Sequence, residues 1–302
     1  MSLSQSVFKV DPRPYGGDFT NGNSAPLAWD VLCHTGAHKI PDTVDLSGCI
    51  HLKPYSLACL CGLGLLGRHN GRSIKVIEPN DLSCANHLAR LGLPDFFDCD
   101  WTTIEQRDSN LRICQVTWPP GNEATRIIEL LAPRADLSPG TFPAMVESLD
   151  EVICNALTHA ASPIDCVVAG QAFPGTDKVE IAVLDLGQTI RGHLTRNPKY
   201  AAIDSDHDAI LKATEDAVTG TLPGEKNSRG EDNSGAGLAE LREYCESGRG
   251  ELTILSGTRW ITYRDANEPI SGELWKGFRG CLVNIRYFTK NRLPERHDEA
   301  IL

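Results

Sequence analysis

Polar and apolar positions alternate with a helical period in ESLDEVICNALTHA, residues 147–160. Apolar side chains follow the i, i+3, i+4, i+7 spacing of a core-facing helix, at Leu149, Val152, Ile153, Ala156, Leu157 and Ala160. Every fourth position is polar, at Glu147, Glu151, Asn155 and His159. Because four residues advance a helix only about 40° past a full turn, these side chains form one slanted row. Such a row is typical of a solvated face or of the floor of a site.

The region from residue 40 to 100 predicts a small α/β unit. Its apolar runs predict a strand, a short helix, a second strand and a second helix, in the order TVDLSGCIHL, SLACLCGLGLLGRHNG, RSIKVIEP and CANHLARLGLPDFF. Strands that alternate with helices indicate an α/β fold. We therefore interpret 38–100 as one domain. The Gly-, Pro- and Asn-rich residues 1–37 are interpreted as an N-terminal extension or edge element.

A larger unit is predicted from 111 to 290, after a polar linker at 101–110. Its predicted strands are LRICQVTWP, CVVAGQAF, KVEIAVLDLG, GELTILSG, TRWITYRD and CLVNIRYF, and GAGLAELREYCES is a predicted helix. The stretch 188–234 is rich in Gly, Asp and Asn, with one helical piece near HDAILKATEDAVTG. A loop of this length is typical of a lid or of disorder. Residues 291–302 are interpreted as a C-terminal tail.

Charge and cysteine content narrow the class of protein. The net charge is -11 with no basic stripe, so we expect neither a nucleic acid nor an anionic membrane as a partner. The chain has 11 cysteines, no signal-peptide core at its start and no apolar run of membrane-spanning length. We expect a cytoplasmic protein with reduced, packing cysteines.

The run GLGLLG, Gly62 to Gly67, matches the dinucleotide-binding fingerprint G-x-G-x-x-G. The fingerprint requires a preceding strand, a full crossover helix and an acid about 20 residues later. Glu78 follows the last glycine by 11 residues, and the helix is expected to be too short for a crossover. We expect these glycines to pack a helix against a sheet instead.

Three segments of the larger unit together suit a nucleoside triphosphate. Asn155 offers a hard oxygen for Mg²⁺, and Glu151 lies one turn earlier, where it can orient a water or a hydroxyl. Asp185 in DLGQTI can accept a hydrogen bond from an exocyclic amine such as that of adenine, and Gly187 admits a planar ring. In SGAGL, Gly235 and Gly237 place backbone N–H groups at a helix start, which attracts phosphate.

Each of these signals also has a structural explanation. Asp before Gly after a strand is common in turns, and G-x-G at a helix start is common in caps. Asn155 is also explained as a satisfied polar group, and His159 as a charge at the end of its helix. The order and spacing of all three segments is more specific than any one of them.

The larger unit resembles the GHKL ATP-binding domain, the Bergerat fold shared by anti-sigma-factor kinases, histidine kinases and gyrase B. EVICN matches the N box of that family, DLGQTI its first glycine box and GAGL its second. The resemblance implies an α/β sandwich with helices on one face of a mixed sheet. It implies ATP and Mg²⁺ as cofactors, with Glu151 as general base, Asn155 as Mg²⁺ ligand, Asp185 as adenine acceptor and 191–234 as the lid. The remaining binding positions are His159, Gly187, Ile190, Gly235, Gly237 and Leu238.

The chain departs from the family pattern at two points of that unit. Thr189 stands where the first box has its second glycine, and Gly280-Cys281 stands where a closing strand has Gly-Thr. Both departures bear on nucleotide binding, while the Asp, Asn and Glu are retained.

The first unit resembles the STAS domain of anti-sigma antagonists over about 40–100. An Asp-Ser-Ser-Gly turn with a phosphorylated serine is replaced here by Lys53-Pro54-Tyr55-Ser56. Ser56 is the nearest match to the phosphosite, and an ordinary turn residue is the alternative.

The two resemblances predict a bacterial ATP-binding regulator that acts by partner switching with another protein. Three versions remain open: a serine/threonine kinase of the anti-sigma type, a slow ATPase with a nucleotide-gated lid, and a non-catalytic nucleotide sensor. A structural interaction module with a degenerate pocket is the alternative from another class. Whether the chain forms a homodimer is also left open. A histidine kinase is not expected, because no helical hairpin with a phosphoaccepting histidine precedes the ATP-binding unit.

Overall fold

The structure is a computed structural model that describes residues 6–10, 40–102, 104, 111–131, 141–173, 178–222 and 237–288. Most of the predicted extension 1–37, most of the predicted linker 101–110 and the predicted tail 291–302 lie outside the described residues. None of the helices in the described part of the chain is long and apolar enough to cross a membrane.

The first unit is built on a small parallel sheet in the order β1-β2-β3. Its strands are β1 (Val7–Lys9), β2 (Thr43–Asp45) and β3 (Lys75–Ile77). Its helices are α1 (Pro54–His69) and α2 (Leu82–Arg90), followed by a 3-10 turn at Leu93–Phe96. The described part of the extension is therefore an edge strand. Helix α1 connects two parallel strands over 16 residues, so the expectation that it is too short for a crossover was wrong.

The second unit is built on a five-stranded sheet in the order β4-β5-β6-β8-β7. Its strands are β4 (Cys114–Val116), β5 (Cys166–Phe173), β6 (Lys178–Asp185), β7 (Gly250–Tyr263) and β8 (Ile270–Phe288). Its helices are α3 (Glu123–Leu131), α4 (Thr141–Thr158), α5 (Ile190–Leu194), α6 (Asp206–Ala213) and α7 (Gly237–Tyr244). A 3-10 turn at Pro198–Tyr200 precedes α6, and a π-helical turn at Cys245–Arg249 follows α7.

These elements confirm the predicted α+β class, with one difference in the large sheet. All neighbouring strands of the five-stranded sheet pair antiparallel, so the sheet is not the mixed one that was expected. Helix α3 was not predicted from the sequence at all.

The large sheet is covered on both faces because its strands alternate apolar side chains inward and outward. On one face, Val179, Ile181 and Val183 of β6 pack in a core with α3, α4 and α7. On the other face, Ala182 and Leu184 pack in a second core that contains α1 and the small sheet. Helix α1 thus lies between the two sheets and is buried along nearly its whole length.

Glycines in α1 allow this close packing. A Cβ atom at Gly62 would lie 2.7 Å from Cδ2 of Leu184, and one at Gly64 would lie 2.3 Å from the carbonyl oxygen of Phe96. These glycines of the GLGLLG run therefore pack the helix against the sheet and the 3-10 turn, as predicted.

The described part of the expected lid, residues 191–222, is folded. It contains α5, α6 and a small core of Leu194, Tyr200, Ala209 and Ala213. Asp206 anchors it to β7 by accepting hydrogen bonds from the backbone N and Oγ1 of Thr258, at 2.9 and 3.0 Å, and by pairing with Arg191 at 3.1 Å. Only 223–234 of the predicted lid lies outside the described residues.

Candidate functional site

One cavity lies where the second half of α4 meets the end of β6, the middle of β8, α5 and the start of α7. Its empty space, together with the open solvent at its mouth, amounts to about 840 Å³. Seven of the residues singled out from the sequence line it: Glu151, Asn155, His159, Asp185, Ile190, Gly237 and Leu238. These residues come from three segments far apart in the chain.

Only part of the polar row on α4 faces this cavity. Glu151, Asn155 and His159 line it, whereas Glu147 is exposed at the helix surface and is not among the lining residues. The row is therefore the floor of a cleft over its last three members and a solvated face at its first.

Gly187, a predicted site residue, is not among the residues that line the cavity. The Cα of Gly187 packs against the C-terminal end of α4, where a Cβ atom would lie 1.8 Å from the carbonyl oxygen of Ala160. Its close approach is thus to backbone of the same chain. Gly235 lies outside the described residues.

At one end of the cavity, Glu151 and Asn155 lie beside the start of α7. The Nδ2 of Asn155 donates to Oε1 of Glu151 at 3.2 Å. A Cβ atom at Gly237 would lie 1.8 Å from Cγ of Glu151, so only glycine allows the helix start to approach this carboxylate so closely. The amide N–H groups at that helix start carry partial positive charge.

At the other end, Asp185 presents a buried carboxyl group. Its side chain is 4% exposed, and Oδ1 accepts a hydrogen bond from the backbone N of Gly187 at 2.9 Å. Burial raises the pKa of this carboxyl group to about 7, against the lowering effect of backbone N–H groups of Gly187 and Cys281. The group is therefore near its titration midpoint at neutral pH.

The two departures from the family pattern leave the backbone around Asp185 unstrained. Thr189 has an ordinary extended conformation, with φ of -73°, and its side chain caps α5 by accepting from the N of Gly192 at 3.0 Å. Gly280 has φ of +96°, and a Cβ atom there would lie 2.2 Å from the carbonyl oxygen of Asp185. Glycine is thus required at position 280. Cys281 lines the cavity, as Asp185 does.

Several lining residues were not predicted from the sequence. They are chiefly Gln188, His193, Leu194, Val218, Thr219 and Gly220. His193 stacks on His159 with ring centroids 4.5 Å apart and an interplanar angle of 31°. The helix that carries His193 has only five residues, too few to show a helical period in the sequence.

Searches against family models, curated proteins and solved structures found no match. Evidence on function therefore comes from the geometry of the cavity and from the motifs that line it.

Glu151 and Asn155 place oxygen atoms next to each other at this end of the cavity. Mg²⁺ prefers oxygen ligands and usually takes only one or two from the protein when phosphates supply others. With Nδ2 turned to Glu151, the Oδ1 of Asn155 is the end of the amide suited to such an ion. Within the described ranges, no group of three or more His, Cys, Asp or Glu is arranged to hold a metal by itself.

Ser56 lies far from this cavity in the chain's other unit. It was expected in a turn, but it belongs to the first turn of α1 and has no exposed surface. A kinase would reach its hydroxyl only if this end of α1 opened.

Proposed function

We propose that this protein is a bacterial ATP- and Mg²⁺-binding signalling regulator, similar to the anti-sigma-factor serine kinases, that acts by partner switching. The observation that carries the proposal is the convergence of the N-box-like, first-glycine-box-like and second-glycine-box-like segments on one cavity. Three unrelated turns and helix caps would not be expected to line the same cavity.

The base end of the site is assigned to Asp185. An ionised carboxylate accepts hydrogen bonds and donates none, which favours a base with an exocyclic amine, such as adenine. Two backbone N–H groups already orient the carboxyl group. The surrounding apolar side chains, among them Val183, Ile190 and Leu238, suit a planar ring.

The phosphate end is assigned to the start of α7 and to the Glu151–Asn155 pair. No Lys or Arg lines the cavity among the described residues. Phosphate charge would therefore be balanced by Mg²⁺ on Asn155 and by backbone N–H groups near Gly237. Bound Mg²⁺ would neutralise the developing charge on the transferred phosphoryl group.

Glu151 is the candidate general base. Its carboxylate is held by Asn155 and faces the cavity, where it would accept a proton from a serine or threonine hydroxyl of a partner protein, or from water. The first acceptor gives a protein kinase and the second a slow ATPase. A nucleotide sensor would bind ATP without either reaction.

We place the protein in the cytoplasm, with a regulator or antagonist protein as its partner. All cysteines in the described part of the chain are free thiols, and most are buried. Free buried thiols are usual in a reducing compartment. A second copy of the chain is a further partner to test.

The test is the fate of the γ-phosphate of labelled ATP, followed with and without candidate partner proteins. We expect label to reach a partner hydroxyl or free phosphate in the wild type. Glu151→Gln should reduce this turnover at least about a hundredfold, in line with loss of a general base, while ATP binding is retained. Glu147→Gln is the matched control, one turn earlier on the exposed side of the same helix, and should leave turnover unchanged.

Turnover in the Glu151→Gln variant equal to that of the wild type would contradict the assignment of the base. If the wild type bound ATP but transferred no phosphate, the result would favour the non-catalytic nucleotide sensor.

A further inference from the structure

We propose that His159 and His193 form a stacking platform for the purine base of the bound nucleotide. This inference rests on the proposed function, and it names the residues that select a flat, aromatic base at the end of the cavity marked by Asp185.

The position of His159, one residue past the end of α4, places the pair at the base end. His159 follows Glu151 by eight residues, which corresponds to a rise of about 12 Å along the helix. The next residue, Ala160, accepts a hydrogen bond through its carbonyl oxygen from the backbone N of Gln188 at 2.7 Å. The histidine pair therefore adjoins the segment that carries Asp185 and Gly187, and it is remote from the phosphate end at Glu151.

The two rings stack on each other, so a base would extend this stack on an outer face of the pair. The two rings are 4.5 Å apart between centroids and tilted by 31°, and both residues line the cavity. No phenylalanine, tyrosine or tryptophan lines it among the described residues. The two imidazoles are thus the aromatic surface that the described lining offers to a base.

Gly220 fixes the ring of His193. A Cβ atom at Gly220 would lie 2.6 Å from Cδ2 and 2.7 Å from Nε2 of that ring, and 2.5 Å from the carbonyl oxygen of the same residue. The folded segment 191–222 thereby holds the ring in place, which reduces the entropy lost when a base stacks on it.

Stacking and phosphate binding make different demands on His193. A base stacks on any aromatic ring, and histidine is among the residues used for this purpose. A phosphate contact would require the ring nitrogens. Replacement by phenylalanine keeps the ring and removes the nitrogens, whereas replacement by glutamine keeps a polar side chain and removes the ring.

The experiment is calorimetric titration of adenosine and of Mg-ATP into four proteins: the wild type, His193→Gln, His193→Phe and His207→Gln. The last is a control in α6, since His207 does not line the cavity. We expect His193→Gln to weaken both ligands by the same factor, about tenfold. We expect His193→Phe to bind within about threefold of the wild type, and His207→Gln to bind like it. Thermal unfolding of each variant without ligand checks that it is folded.

Three results would overturn the platform: unchanged adenosine affinity in His193→Gln, no recovery in His193→Phe, or a loss confined to Mg-ATP. A wild type that binds neither adenosine nor Mg-ATP would overturn the proposed function as well. If the wild type binds both ligands normally, a failed test overturns the stacking platform and leaves the proposed function intact.

Discussion

At the scale of residues, Asp185 is a carboxyl group of the candidate site whose pKa burial raises well above its ordinary value. It is buried at the end of β6, and its two backbone hydrogen bonds only partly offset the loss of hydration. A carboxyl group in this state is costly to keep ionised without a ligand. An amine donor from a bound base would favour the ionised form and would lower the pKa of the group.

This perturbation predicts a specific dependence of stability on pH. The pKa of Asp185 is about 7 in the folded protein, against an ordinary value of 3.8. Between these values the folded state holds a proton that the unfolded state has released, so the free energy of unfolding falls as pH rises from about 4 to about 7. Asp185→Asn does not titrate, and the wild type should lose about 4 kcal/mol relative to it over this range. Urea unfolding of both proteins at several pH values measures the difference, and parallel curves would contradict the assigned environment.

Some site residues were predictable from the sequence because they lie on strongly patterned elements. Asn155 sits on a long amphipathic helix, and Asp185 ends a strand of alternating apolar residues. His193 was not predictable, because its helix has five residues and an isolated helix of that length is unstable. Its place depends on tertiary contacts, chiefly those that Asp206 and Gly220 make.

At the scale of elements, helix α1 illustrates a fold feature that periodicity does not reveal. Its residues are buried on nearly all sides, so no polar face marks its orientation, and the sequence gives no sign that it lies between two sheets. Helix α3 shows the opposite case. Ile127, Ile128 and Leu131 form a clear buried stripe there, so the sequence does carry a helical period at this element.

The packing of α1 predicts that Gly64 tolerates no side chain. In Gly64→Ala, the new Cβ would meet the backbone carbonyl of Phe96 at 2.3 Å, and backbone cannot move aside as a flexible side chain does. We expect a net loss of about 1 to 3 kcal/mol from overpacking, even though alanine favours a helix more than glycine. Urea unfolding measures this loss.

Gly121→Ala is the matched control for that substitution, since a Cβ atom there has no neighbour within 4 Å. Its stability should stay within about 0.5 kcal/mol of the wild type. If the two variants were equally stable, the close packing of α1 against the 3-10 turn at Leu93–Phe96 would be wrong.

At the scale of the whole molecule, the two units share a core directly behind the candidate site. Leu184 and Leu186 flank Asp185 in the chain, and both belong to the cluster that includes α1 and the small sheet. The base end of the cavity therefore rests on residues that the first unit covers. A ligand bound there should stabilise both units together, which is the physical link that partner switching would use.

Thermal unfolding tests directly whether the cavity binds Mg-ATP. A ligand that binds only the folded state, present at about 100 times its Kd, adds about 2.7 kcal/mol to the free energy of unfolding. We predict a single transition that moves to higher temperature with Mg-ATP in the wild type and moves much less in Asp185→Ala. A wild-type transition that stays in place at millimolar Mg-ATP would contradict the account.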